Sequence, residues 1–164
     1  MMKFLLVGTI LLMTACAGKN TVIKFNIAEA MGIRVNEGKA EELPRATLVG
    51  VEAVVPLVNC WAWHGEAGFA AGHAAFLPSP RLFTGPSVCM GDRWRFGGGL
   101  VWQANPGYHG SPPHVLGAGA GPSVMVNDTL GLAFPVGVGR TLQDGHWGAW
   151  AVTTQIRLMF FLAK

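Results

Sequence analysis

Apolar and polar positions alternate along most of this chain after about its first twenty residues. In the last run, Trp150, Val152, Thr154, Ile156, Leu158, Phe160 and Leu162 share one register. Ala149, Ala151, Thr153, Gln155, Arg157, Met159 and Phe161 share the other. A period of two marks a strand, whose successive side chains point to opposite faces. The split recurs as Trp61, Trp63 and Phe69 against His64, Glu66, Gly68, Ala70 and Gly72. It recurs again as Trp94, Phe96, Leu100 and Trp102 against Arg95, Gly97, Gly99 and Gln103. The pattern predicts eight strands: Thr21–Val35, Ala46–Val58, Trp61–Ala74, Leu82–Met90, Trp94–Ala104, His114–Val126, Thr129–Leu142 and Trp147–Leu162. No run has the 3.6-residue period of an amphipathic helix.

The connections between these runs alternate in length. Asn59-Cys60, Gly91-Asp92 and Asn127-Asp128 read as tight turns. Asn36 to Arg45, the stretch holding Pro78 and Pro80, and Asn105 to Pro113 read as longer loops. Gln143 to His146 is intermediate. An up-and-down barrel with one short-turn end and one long-loop end produces this alternation, and an even strand count returns both termini to the short-turn end.

Composition narrows the setting. The 164 residues are 51% hydrophobic and only 13% charged, with 23 glycines and a mean hydropathy of +0.37. A disordered chain or a coiled coil would be far more charged. No apolar stretch reaches the roughly 18 residues of a membrane-spanning helix. One register is large and apolar, while the other is largely Gly and Ala, where a water-facing register would carry Lys, Glu and Thr. Trp61, Trp63 and Trp94 lie beside the tight turns; Trp102, Trp147 and Trp150 lie towards the loop end. Trp at both ends with aliphatics between suits the two interfaces of a bilayer. The net charge of +3 comes from scattered basic residues, so no nucleic-acid partner is expected.

Eight alternating strands, short turns at one end and aromatic girdles resemble the small outer-membrane barrels of OmpA-type and OmpX-type architecture. The resemblance covers positions 21–164. It implies an all-β, eight-stranded antiparallel transmembrane barrel in the bacterial outer membrane, with lipid around it and any surface ligand met through the longer loops. The terminal Phe160-Phe161 is followed by Leu162-Ala163-Lys164, so the family's terminal aromatic is matched only approximately.

The first residues read as an export segment: Lys3, an apolar run from Phe4 to Met13, then Thr14, Ala15, Cys16 and Ala17. Ala15-Cys16-Ala17 fits cleavage after position 17. Leu12 to Cys16 also resembles a bacterial lipobox, which implies a signal peptide over 1–15, lipidation of Cys16 and a short linker over 16–20.

With the apolar register facing lipid, the lumen receives Lys24, Asn26, Glu52, His64, Glu66, Arg95, Gln103, Gln155 and Arg157. Eight strands leave room for little more than side chains, and charges in a dry interior must pair. A plugged polar lumen follows, with Glu52, His64, Glu66, Arg95 and Arg157 as its network. Glu29 breaks the alternation, and a bulge near Ala28 is expected to turn it inward. Pro56, Pro86, Pro122 and Pro135 fall inside strands and predict shortened strands or gaps in the ladder. Cys60 and Cys89 share the tight-turn end and are candidates for a disulfide. No metal site or other cofactor is expected; His73, His109, His114 and His146 gather at the loop end without ligand spacing.

Two candidate chemistries accompany this reading. His64 and Glu66 share a strand face, a spacing that serves acid–base work or a lumenal hydrogen-bonded pair. His109-Gly110-Ser111 resembles the H-x-S triplet of lipid A deacylases, and the in-strand prolines resemble those of lipid A acyltransferase barrels. The expected function is structural or surface-recognising, without catalytic residues. The alternatives are an enzyme modifying lipid A or phospholipid, and a soluble periplasmic lipoprotein barrel carrying an apolar ligand.

Overall fold

The computed structural model describes residues 21–36, 38–72, 75–104 and 114–163. Among them lie nine antiparallel strands and no helix: β1 (Val22–Asn36), β2 (Lys39–Pro56), β3 (Trp61–Gly72), β4 (Ala75–Cys89), β5 (Trp94–Ala104), β6 (His114–Met125), β7 (Leu130–Ala133), β8 (Val136–Gln143) and β9 (His146–Ala163). Each strand from β1 to β6 pairs with the next. β7 and β8 then occupy one position in the wall between β6 and β9, and β9 pairs with β1. The result is a closed eight-stranded barrel without an open edge, the one sheet arrangement that satisfies its backbone inside a hydrocarbon layer. Residues 1–20, where a signal peptide, a linker and a lipidated Cys16 are expected, lie outside the described residues, as do His73, His109 and Ser111.

The division of Thr129–Leu142 into β7 and β8 is the work of Pro135. The register is the same on both sides: Ala133 pairs Arg157, and Val136 pairs Thr154. Phe134 N donates to Pro122 O at 3.0 Å and Gln155 N to Pro135 O at 3.0 Å, so the wall continues past the missing donor. The other prolines also meet interruptions. The β4–β5 ladder omits Gly85 and Pro86, Pro122 lies opposite the β7–β8 break, and Pro56 ends β2. A proline removes one ladder bond, and the strand continues where its neighbours hold the register.

Three connections are shorter than the sequence suggests. β2 begins at Lys39, so Asn36 to Arg45 is a continuation of the first hairpin, with Asn36 paired to Lys39 and Gly38 at φ 79°. Pairing of β1 with β9 up to Val35 supports the hairpin along its length. Likewise, Gln143 pairs His146 around Asp144 and Gly145, both at positive φ. That conformation suits a two-residue hairpin turn. β4 extends back to Ala75, so Pro78 and Pro80 lie within its backbone span.

The alternation sorts as the barrel requires. Val49, Val51, Trp61, Trp63, Phe69, Trp94, Phe96, Leu100, Val138, Trp150 and Ile156 are exposed on the outside. Lys24, Asn26, Glu52, Glu66, Arg81, Ser87 and Arg157 are buried inside. An inverted, water-soluble arrangement would bury the first set. Arg140 lies over Trp147 and Trp150, 5.8 and 5.0 Å from their ring centroids, and donates to Gly148 O. This cation–aromatic cluster caps the outer face at the hairpin end.

Glu29 departs from expectation. Its pairings with Thr47 and Ile156 are in register, and the bulge falls later, between Ala30 and Gly32. The carboxylate therefore stays on the outer face, where it accepts a 2.6 Å hydrogen bond from Thr47 Oγ1. A cross-strand hydroxyl supplies the polar partner that an inward turn would have provided.

Candidate functional site in the barrel lumen

Alternation carries one side chain in two from every strand into the lumen, and the charged ones concentrate on β1, β2, β3, β4 and β9. Glu52 and Glu66 are directly opposite each other across the β2–β3 ladder. Two like charges so placed repel, and each has its own set of partners. Glu52 receives Lys24 Nζ at 3.4 Å, Asn26 Nδ2 at 2.8 Å and the Nδ1 of His64. Glu66 receives Arg81 Nη1 at 3.0 Å and Arg157 Nη1, while Arg157 Nη2 donates to Gln155 at 3.1 Å. The second carboxylate thus ties the adjacent strands β3 and β4 to β9 on another part of the wall. The far edge of His64 contacts Ser87 Oγ at 2.5 Å.

The cluster floors a cavity of about 560 Å³. The cavity extends towards the hairpin end, where Arg34, Leu43 and Gln143 line it. The space exists because the facing wall of β5, β6 and β8 contributes Gly97, Gly117, Gly119, Gly121, Gly137 and Gly139. A Cβ on Gly117 would lie 2.5 Å from Val138 O and one on Gly121 2.5 Å from Phe134 O. These glycines let adjacent backbones approach closely as well as leaving the interior open.

Of the residues read from sequence as a lumenal network, Glu52, His64, Glu66 and Arg157 come together. Arg95 does not join them. It lies on the turn side of the cluster, lining a small pocket with Lys24, Arg93 and Phe161, and its Nη1 is buried without a partner among the described residues. The ladder places it opposite Cys89 and Ser123. Glu29 is on the outer surface. His64 reaches Glu52, its diagonal neighbour across the β2–β3 ladder, while Glu66 is occupied by Arg81 and Arg157.

Arg81 and Ser87 are the residues sequence reasoning missed. A fourth strand drawn from Leu82 excludes Arg81. Its shared parity with Ser87 and Cys89 was the available signal. Cys60 and Cys89 are neighbours but not bonded: both are free thiols, and Cys60 O accepts from Cys89 N and Sγ, each at 3.1 Å. Cys60 sits in the turn after Asn59 at φ 56°, so its side chain lies outside the paired strand. His114 stacks on Trp102 with ring centroids 5.7 Å apart, and His146 is exposed at the last hairpin. Among the described residues no three His, Cys, Asp or Glu side chains gather as a metal site.

No protein-family model matches this sequence, and no curated protein matches it. Solved structures do match. Ail, the attachment invasion locus protein of Yersinia pestis, aligns over 86% of this chain and 98% of its own, with 14% identity and a TM-score of 0.54. The same protein in complex with the heparin analogue sucrose octasulfate aligns with a TM-score of 0.55, 12% identity, and coverage of 87% and 99%. Neisserial surface protein A aligns over 84% of this chain and 96% of its own, with 10% identity and a TM-score of 0.51. The chain therefore has the fold of the small outer-membrane barrels, and its exposed apolar band and closed wall suit a lipid layer.

Proposed function

We propose that this barrel serves the outer membrane as a structural or surface-recognition protein, with its lumen closed to through-flow by the ionic cluster. The observation that carries the reading is the bridge from Arg157 on β9 through Glu66 on β3 to Arg81 on β4. Chords of charge across an eight-stranded lumen leave little cross-section for solute passage. What the protein offers to the outside is then its hairpin end: the β1–β2 hairpin with the exposed Arg34–Glu41 pair, and the Arg140–Trp147–Trp150 cluster. The complex of Ail with a heparin analogue supports looking for a ligand at this end.

Conductance in planar bilayers tests the closed lumen. The expected result is insertion without conductance steps, and new steps when Glu66→Ala and Arg157→Ala are combined. Steady open-channel current from the wild-type protein would overturn the reading.

A further inference from the structure

The plug contains a relay that closing the lumen does not require. Glu52, His64 and Ser87 lie on three adjacent strands and face the same cavity. Glu52 is opposite Glu66 and Val54 is opposite His64; His64 is opposite Gly85 and Ala62 is opposite Ser87. Each member of the relay is thus a diagonal neighbour of the next on the lumenal face. The imidazole uses its two nitrogens differently, Nδ1 on the Glu52 carboxylate and Nε2 on Ser87 Oγ at 2.5 Å. Lys24 and Asn26 hold Glu52 in place from the other side. An ionised carboxylate only accepts, so Nδ1 carries a proton, and in the neutral imidazole Nε2 is then the acceptor for the serine hydroxyl. A serine whose proton points at a base, with that base oriented by a buried carboxylate, is the arrangement that activates a hydroxyl for attack.

The surroundings also suit an acyl substrate. A Cβ on Gly97 would lie 3.2 Å from Ser87 Cβ, so glycine at this position leaves the cavity open beside the hydroxyl. The cluster carries three permanent cations, Lys24, Arg81 and Arg157, against two carboxylates, Glu52 and Glu66. Its field favours the negative charge that develops on an attacked carbonyl oxygen.

We propose that Ser87 is a nucleophile, with His64 its base and Glu52 the positioning residue. The substrate class is a carboxylic ester with a slender acyl chain, admitted from the hairpin end. Ser87 Oγ bonds to the ester carbonyl carbon while its proton passes to His64 Nε2. The bond to the alkoxy oxygen then breaks, and His64 returns the proton to the departing alcohol. Water then attacks the acyl-Ser87 carbonyl carbon as His64 takes its proton; the bond to Ser87 Oγ breaks, His64 returns that proton to Ser87 Oγ, and the carboxylic acid is released.

The test uses the full-length barrel in detergent, its folded state read by the change in gel mobility on boiling. The probe is an alkyl fluorophosphonate, which phosphonylates activated serines, with the adduct located by mass spectrometry. The expected result is a single adduct on Ser87, absent in Ser87→Ala. The labelling rate should fall by about 100-fold or more in His64→Gln and partly recover in His64→Ala on addition of free imidazole. A downfield imidazole N–H resonance should persist in Ser87→Ala and vanish in Glu52→Gln. Folded wild-type protein that leaves Ser87 unmodified would overturn the proposal whatever the variants do, as would labelling unaffected by His64→Gln.

Discussion

Glu66 on β3 and Arg157 on β9, 91 positions apart in the chain, meet in a buried ion pair across the lumen. Arg81 shares the same carboxylate at 3.0 Å. Removing the carboxylate leaves two guanidinium groups buried without their counter-charge. Breaking such a pair from one side costs about 3–5 kcal/mol, more than the pair itself contributes. Glu66→Ala is therefore expected to unfold at markedly lower urea concentration in detergent, while Arg34→Ala, at an exposed pair, loses less than about 1 kcal/mol of stability and keeps a midpoint near the parent's. Equal midpoints for the two variants would show that the lumenal bridge carries no such load.

Close backbone approach makes a second prediction. A Cβ on Gly68 would lie 2.3 Å from Val49 O and 2.7 Å from Gly50 Cα, whereas one on Gly119 meets nothing nearer than 3.3 Å. The first contact is with backbone on the paired strand and can be relieved only by spreading β2 from β3. Gly68→Ala should cost about 1–3 kcal/mol and lower the folded fraction on unheated gels. Gly119→Ala should fold as the parent does.

The two thiols should stay free. Cys60 is exposed in its turn and Cys89 is half-buried against the Cys60 carbonyl. Maleimide added to the folded protein without reductant is expected to modify Cys60 quickly and Cys89 slowly, with no mobility difference between reduced and unreduced samples. Protection of both thiols until reductant is added would contradict this arrangement.

The outward register predicts how the tryptophans respond to lipid. Trp61, Trp63, Trp94, Trp147 and Trp150 are exposed on the outer surface, and Trp102 stacks there with His114. Reconstitution in lipids with brominated acyl chains should quench most of the emission. Soluble acrylamide should quench little. The reverse pattern would put the aromatic register inside.

Glu29 faces the same surroundings as these rings, partnered by Thr47. A lipid-facing acidic group is disfavoured, by less than the roughly 2–4 kcal/mol found for Lys or Arg at mid-bilayer. Glu29→Leu is expected to preserve the boiling shift and leave the urea midpoint equal or higher. A clear fall in the midpoint would mean that the carboxylate holds β1 to β2 more firmly than its lipid exposure costs.

The period of two, the tight turns and the girdle of tryptophans are local properties of the chain. They were enough to determine an eight-stranded antiparallel barrel and its two faces, because a strand's side chains alternate whatever it pairs with, but not where each strand begins or the break at Pro135. They also put Glu52, His64, Glu66 and Arg157 on the lumenal face. Which of these residues touch depends on register around a closed wall, and only the tertiary structure decided that. Closure of β9 on β1 and the diagonal offsets from β2 to β4 bring Arg157 to Glu66, and His64 to Glu52 and Ser87. The same offsets leave Arg95 on the far side of the cluster. The first hairpin has a similar explanation: Pro44 and two glutamates read locally as a loop, yet β1 is held by β9 as well as β2, and that second partner carries the strands through. Glu29 stays outside, where the Thr47 hydroxyl across the ladder donates to it, a contact that no pattern along one strand encodes.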